Sequence, residues 1–243
     1  MEIIIIIDYN YTIYNIMNKL LERKEVKMKK EKKNLFICGG LILLAIIYTC
    51  LVKVVDVQPV GAEGSNIGFA TINKFVFDNI GFNKVWYDIT EILGYVPILF
   101  AGIYGLVGVS QLIKRKSLKK VDNELICLAL FYVVVVVLYV FFEKVIINYR
   151  PVILDEGLEA SYPSSHTLMS ICLCGSSILI NKKLFNNKYT NVMNIINYII
   201  IAVIVVGRLI SGVHWVTDIL GGIIISSALL KTFKYVINNL KNN

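Results

Sequence analysis

The chain has two histidines, His166 and His214, and both stand in short segments rich in hydroxyl and ionisable side chains. Three such segments matter: Tyr149-Arg150-Pro151, Tyr162-Pro163-Ser164-Ser165-His166, and the stretch from Gly207-Arg208 through His214 to Asp218. His214 and Asp218 are four residues apart, so on a helix they share a face and can meet. A carboxylate beside an imidazole fixes its tautomer and favours its charged form, leaving the far nitrogen free to attack. A pair of metal ligands would have the same spacing, so the spacing alone does not decide between them. Arg150 and Arg208 supply two planar forks, which suit phosphate oxygens better than point charges. Arg208 lies six residues before His214, across a Ser211-Gly212 break at which the chain can bend. Pro163-Ser164-Ser165-His166 reads as a helix start, where free backbone N–H groups and the positive helix end make an anion site. His166 would stand beside that site, placed to donate a proton to a leaving oxygen.

The elements that must hold these residues are apolar. Of the 243 residues, 56% are hydrophobic and 17% are charged, against roughly 25% charged in a soluble domain. Mean hydropathy is +0.67. A membrane-spanning helix needs about 20 mostly apolar residues, and candidates fall at 35–55, 88–113, 122–146, 164–181, 192–210 and 215–236. The expected fold is therefore all-α, a polytopic membrane helix bundle with about six transmembrane helices and no room for a soluble domain. The β-branched run Val133–Val137 would suggest a strand in water; in lipid a helix satisfies every backbone group internally. Residues 67–80 read as an amphipathic helix lying on the membrane surface. Residues 1–27 carry an apolar run too short to span and read as an N-terminal extension without catalytic function. Residues 28–243 then form a single membrane-embedded domain with a motif core at 143–222, and the tail 238–243 is expected to fray.

The net charge of +8 is unevenly placed. Basic blocks occur at Lys27–Lys33, Lys114–Lys120, Lys182–Lys188 and Lys231–Lys234, whereas the 56–87 and 147–163 connections are mixed or acidic, with Asp155, Glu156 and Glu159 in the second. This is the positive-inside pattern, not a nucleic-acid surface. It expects a multi-pass cell-membrane protein with both termini cytoplasmic and both histidines at the outer face. The five cysteines all fall in the expected spans and read as buried free thiols rather than disulfides or a metal site. Richness in Ile, Asn and Lys hints at an AT-rich bacterial genome.

The three segments resemble the motifs of the type 2 phosphatidate phosphatase/vanadium haloperoxidase superfamily: Lys-x6-Arg-Pro, Pro-Ser-Gly-His and Ser-Arg-x5-His-x3-Asp. The resemblance extends over residues 128–225, and the six-span layout is similar to the membrane branch. It implies a membrane lipid phosphatase acting through a phosphohistidine. His214 would be the nucleophile, Asp218 its orienting acid and His166 the general acid. Arg150, Ser164 and Arg208 would hold phosphate oxygens, with the amide of Ser165 as a further donor. The implied partners are a lipid phosphate substrate and membrane lipids, with no nucleic acid and neither metal nor other cofactor. Undecaprenyl diphosphate, phosphatidic acid and phosphatidylglycerol phosphate are all compatible, the outer location favouring a polyprenyl diphosphate. There are three departures: Ser165 replaces the family glycine, Gly207 replaces the serine before Arg208, and Glu143 stands where the family has lysine. Lys144 is one place late, which on a helix turns it by about 100°, so Glu143 and Lys144 stay open as phosphate contacts. Glu143 is expected to pair with Lys144 or Arg150, since an unpaired membrane carboxylate is costly. A metal-dependent hydrolase would need more ligands than these. The competing reading is a lipid-binding or transport protein of the same fold with an altered site, for which Glu143 is the best feature.

Overall fold

The long apolar runs are helical throughout, as a chain without water around it requires. The structure is a computed structural model that describes residues 2–154, 157–185 and 188–240, with side chains from residue 19 onward. Asp155, Glu156, the tail end at 241–243 and the side chains of most of the 1–27 extension lie outside the described residues. Among those described there are seven α-helices: α1 (Glu2–Val54), α2 (Ala70–Ile80), α3 (Lys84–Arg115), α4 (Asn123–Lys144), α5 (Ser165–Leu184), α6 (Thr190–Ile210) and α7 (Val216–Asn239). Two compact units divide within α1. The first, residues 1–40, is helical and carries one Lys27–Glu31 ion pair. The second, residues 41–243, is the helix bundle that holds the site.

In the bundle α5 is central, packed against α3, α4, α6 and α7. Among the described residues five helices are long and apolar enough to cross a membrane, namely α1 from Lys19, α3, α4, α6 and α7. The sixth expected span, α5, has the length but a more polar composition. Its Thr167, Ser170, Ser176, Ser177 and Asn181 are all buried within the bundle. A helix enclosed by other helices need not be apolar, because its polar groups find partners across the interfaces. Tyr104 of α3, for example, bonds Ser177 at 2.5 Å, and Asn181 donates to Asn194 of α6 at 2.8 Å. The outward faces are the apolar ones, with Ile92, Leu99 and Leu106 on α3 and Val133, Val137 and Val140 on α4 all exposed. That inside-out distribution suits a lipid surround. The β-branched run lies in α4 and is helical.

The five cysteines are free. Their expected burial holds for Cys38, Cys172 and Cys174, but Cys50 is exposed and Cys127 half-buried. A thiol is apolar enough to sit on a lipid-facing helix surface.

At one end of the bundle lie three connections: 55–83 (with α2), 145–164 and 211–215. Asn73 of α2 donates to Thr217 Oγ1 at 2.8 Å and accepts from the Thr217 N–H at 3.2 Å, fastening α2 over the start of α7. The ring of Phe77 packs on Trp215 at 5.6 Å.

Candidate active site

The 145–164 connection folds back on itself as a short antiparallel pairing. Tyr149 bridges Ala160, the Arg150 N–H donates to the Glu159 carbonyl at 3.1 Å, and the Ser161 N–H to the Asn148 carbonyl at 2.9 Å. This pairing sets Arg150 beside Glu159 and Asn148 beside Ser161. Trp215 Nε1 donates to the Tyr149 carbonyl at 2.8 Å, tying the same connection to the 211–215 segment. That segment leaves α6 at Ile210 and turns at Gly212, whose φ of +66° and approach to the Gly81 carbonyl leave no space for a Cβ. The expected bend is there.

His214 and Asp218 do not meet on one helix face. His214 precedes α7, whose N-cap is Trp215, and Asp218 at the third helical position turns back to accept the Trp215 N–H at 3.0 Å. Capping the helix takes the carboxylate away from the imidazole. The two are joined by Ser161 instead, whose Oγ lies 2.5 Å from Asp218 Oδ2 and 3.0 Å from His214 Nδ1. Asn148 donates to the other carboxylate oxygen at 3.3 Å. Asp218 is 0% and His214 4% exposed. A hydroxyl has one proton, and with Asp218 ionised that proton goes to the carboxylate. Nδ1 of His214 must then donate to Ser161, which leaves the lone pair on Nε2. Burial, with Arg150, Arg208 and His166 nearby, holds the His214 imidazole well below its ordinary pKa, hence neutral near pH 7.

Around His214 several buried atoms have no hydrogen-bond partner among the described residues. They are Nε2 of His214, Nδ1 of His166, Oγ of Ser164, Nε and Nη1 of Arg150, and Nε and Nη2 of Arg208. Buried polar atoms are nearly always paired, so such a cluster calls for an explanation. Most of these atoms are hydrogen-bond donors, as an anion site requires. Ser164 is the N-cap of α5 but makes no side-chain cap bond, and its N–H donates to the Asp218 carbonyl at 3.0 Å, locking the starts of α5 and α7 together. Ser165 is the first residue of α5, with its amide in the helix's free first turn.

The outer amino group of each arginine is taken by a glutamate. Arg150 Nη2 lies 3.0 Å from Glu159, and Arg208 Nη1 lies 2.9 Å from Glu91 of α3. Arg208 is completely buried, also bonds Thr90 Oγ1 at 3.3 Å, and lies 5.4 Å from the Tyr87 ring centre. Gly207, the departure from the family serine, has a steric reason: a Cβ there would come within 2.6 Å of the Thr90 methyl. Its absence lets α3 close on α6.

Thus Arg150, Ser164, Ser165, His166, Arg208, His214 and Asp218 come together, while Lys144 and Glu143 are exposed at the end of α4. The expected pairing of Glu143 with Lys144 or Arg150 is corrected: among the described residues it makes no ion pair within 4 Å, because Glu159 already holds Arg150. Glu143 does line a small cavity with Ser165 and His214. Sequence reasoning missed Ser161, Asn148 and Glu91. For Glu91 a signal existed, since an ionisable residue inside a span is a functional candidate by default.

Comparison with known proteins bears on the fold. Residues 124–242 match the PAP2 superfamily model. The crystal structure of the first transmembrane PAP2-type phosphatidylglycerolphosphate phosphatase from Bacillus subtilis superposes with a TM-score of 0.59 at 20% identity, over 84% of this chain and 98% of that one. No curated protein matches the sequence. The family match takes in all three motif segments, and the likeness in fold extends over 84% of the chain, so residues 124–242 are similar to the PAP2 superfamily and the fold is similar to that of a transmembrane PAP2-type phosphatase.

Proposed function

We propose that the protein is a membrane lipid phosphate or diphosphate phosphatase that works without a metal, through a phosphohistidine on His214. The observation that carries this reading is the set of buried arginine and serine donors that, like Nε2 of His214 itself, have no hydrogen-bond partner among the described residues. Arg150, Arg208, Ser164 and the first amides of α5 are suited to hold the phosphoryl oxygens and to take up the charge that develops on them. His214 Nε2 attacks phosphorus, and the bond to the lipid oxygen breaks as His166 gives that oxygen a proton. His166 then takes a proton from water, the water attacks the phosphohistidine, and inorganic phosphate leaves with His214 restored. Asp218, acting through Ser161, orients His214 and supports its charged form.

A groove of about 260 Å³ beside His166, lined by Gly94, Ile98, Tyr139 and Met169, suits the first part of a lipid tail. Phosphatidylglycerol phosphate, the substrate named for the Bacillus subtilis protein, fits this site, as do phosphatidic acid and undecaprenyl diphosphate. The basic connections at the opposite end of the helices support an active site at the outer membrane face.

Phosphate release from purified lipid phosphates, with and without chelator, tests the proposal. Turnover should survive EDTA, fall with vanadate, and vanish in His214→Ala for every substrate. An acid-labile phosphoprotein should be trapped from labelled lipid. Activity lost in EDTA and restored by a divalent ion, or turnover persisting in His214→Ala, would overturn the mechanism.

A further inference from the structure

The two nitrogens of His166 have different surroundings. Nε2 lies 3.4 Å from Glu91 Oε2, while Nδ1 is buried without a hydrogen-bond partner among the described residues. The other oxygen of Glu91 holds Arg208 Nη1 at 2.9 Å. One carboxylate, on a helix that lies outside the matched family region 124–242, therefore reaches both a phosphate-binding arginine and the presumed acid. The face of α3 that does this is shaped for it. One turn beyond Glu91, a Cβ at Gly94 would lie 2.6 Å from His166 Cδ2 and 2.8 Å from Nε2, so only glycine leaves room for the ring.

We propose that Glu91 is the positioning residue of the proton donor: it holds the Nε2–H of His166 and thereby presents Nδ1–H to the leaving oxygen of the lipid. A ring with a carboxylate on one nitrogen is held in a single orientation, and the negative charge favours the doubly protonated imidazolium, the form that can donate. Burial and the two arginines beside His166 oppose that form, and Glu91 works against them. When the proton has passed to the leaving oxygen, Nε2–H stays on Glu91 and Nδ1 is left as the base that accepts the proton of the attacking water. The same contact thus serves both half-reactions. This inference rests on the reading of His166 as general acid.

The experiment compares kcat/KM for a lipid phosphate, whose alkoxide must be protonated to leave, with that for p-nitrophenyl phosphate, whose phenolate leaves unaided. General acids contribute about 10²–10⁴-fold, so Glu91→Gln should lose about 10–100-fold more on the lipid than on the aryl ester, whose own loss reports the effect on Arg208. Glu91→Asp, which restores the charge, should recover most of the lipid activity. His166→Ala is run alongside and should show the same split, more strongly. An unchanged elution volume and melting temperature in detergent show that each variant is folded. If Glu91 only anchors Arg208, both substrates fall together in Glu91→Gln, and the positioning role is overturned while the His166 split stands. If Glu91→Asp recovers nothing on the lipid, the charge is not what matters and the proposal is likewise overturned. If His166→Ala itself shows no split, the acid assignment fails and the role of Glu91 falls with it.

Discussion

Removing one hydroxyl, Ser161→Ala, separates His214, the proposed nucleophile, from its carboxylate without touching either. With Asp218 ionised, Ser161 Oγ donates to its Oδ2 at 2.5 Å and so accepts from His214 Nδ1 at 3.0 Å, all three groups being buried. Alanine leaves Asp218 with the Trp215 N–H and the Asn148 amide, so the carboxylate stays partly satisfied. His214 is affected more. Its Nδ1–H loses its acceptor, and a buried donor left unpaired costs about 1–3 kcal/mol. That penalty works against the tautomer with the lone pair on Nε2 and against the imidazolium-like charge of the transition state. At about 1.4 kcal/mol per tenfold, kcat should fall about 5–150-fold. Because the nucleophile is the part that fails, lipid and aryl phosphates should suffer alike, unlike the split expected for Glu91→Gln. Steady-state phosphate release in detergent micelles measures this, with Ser161→Thr, which keeps the hydroxyl, as the recovering variant. Adding Ser161→Ala to Asp218→Asn should cost less than about threefold more, since residues acting in one chain are not additive. A Ser161→Ala enzyme within about threefold of wild type would refute the relay. Asp218 would then have to reach His214 by another route.

Sidedness is checked by cysteine labelling in intact cells. Glu63→Cys, in the connection before α2, should react with an impermeant thiol reagent above the background of native thiols, whereas Lys119→Cys, between α3 and α4, should react only after permeabilisation. At Glu143, exposed and without an ion pair among the described residues, Glu143→Gln should change kcat/KM by less than about threefold. Glu143→Lys should lower KM for a phosphate ester by about two- to fivefold, the scale of an exposed charge worth up to about 1 kcal/mol. A loss of tenfold or more in Glu143→Gln would assign the carboxylate a role that its surroundings do not suggest.

The helices and the motif residues were legible in the sequence because each carries a local signal. Apolar runs of span length mark α1, α3, α4, α6 and α7. Arg150, His166 and Arg208 advertise themselves as costly residues in a lipid setting. The Pro163-Ser164 helix start and the Gly212 turn follow from backbone rules. What was not legible depends on pairing across the chain. Helical spacing puts His214 next to Asp218, but α7 begins only after Trp215, and the carboxylate caps it. Ser161 enters between them through the 145–164 pairing, which no periodicity announces. Cys50 misled for a related reason: in a lipid-facing bundle, falling within an apolar span does not place a side chain in the core.

The glutamates bear on how such a site can bind an anion at all. Two arginines as little exposed as Arg208 (side chain 0%) and Arg150 (11%) would be expensive without counter-charges, and removing one partner leaves such a charge uncompensated. Glu159 and Glu91 compensate them, yet each does so at one outer amino group and leaves Nε and another Nη with no partner among the described residues. The site is then close to balanced in formal charge while still directing several N–H bonds inward. Attraction for phosphate would come from the aim of those donors more than from net positive charge, as preorganised dipoles act in a water-excluded site. On this view a planar carboxylate gains little, because the forks are fixed by Glu91 and Glu159 before substrate arrives. Glu91 has the larger part, since one carboxylate fixes both Arg208 and the ring of His166. The groove beside His166 opens on that same ring, so under the proposed mechanism the lipid oxygen to be protonated would enter next to the group whose orientation α3 has already set.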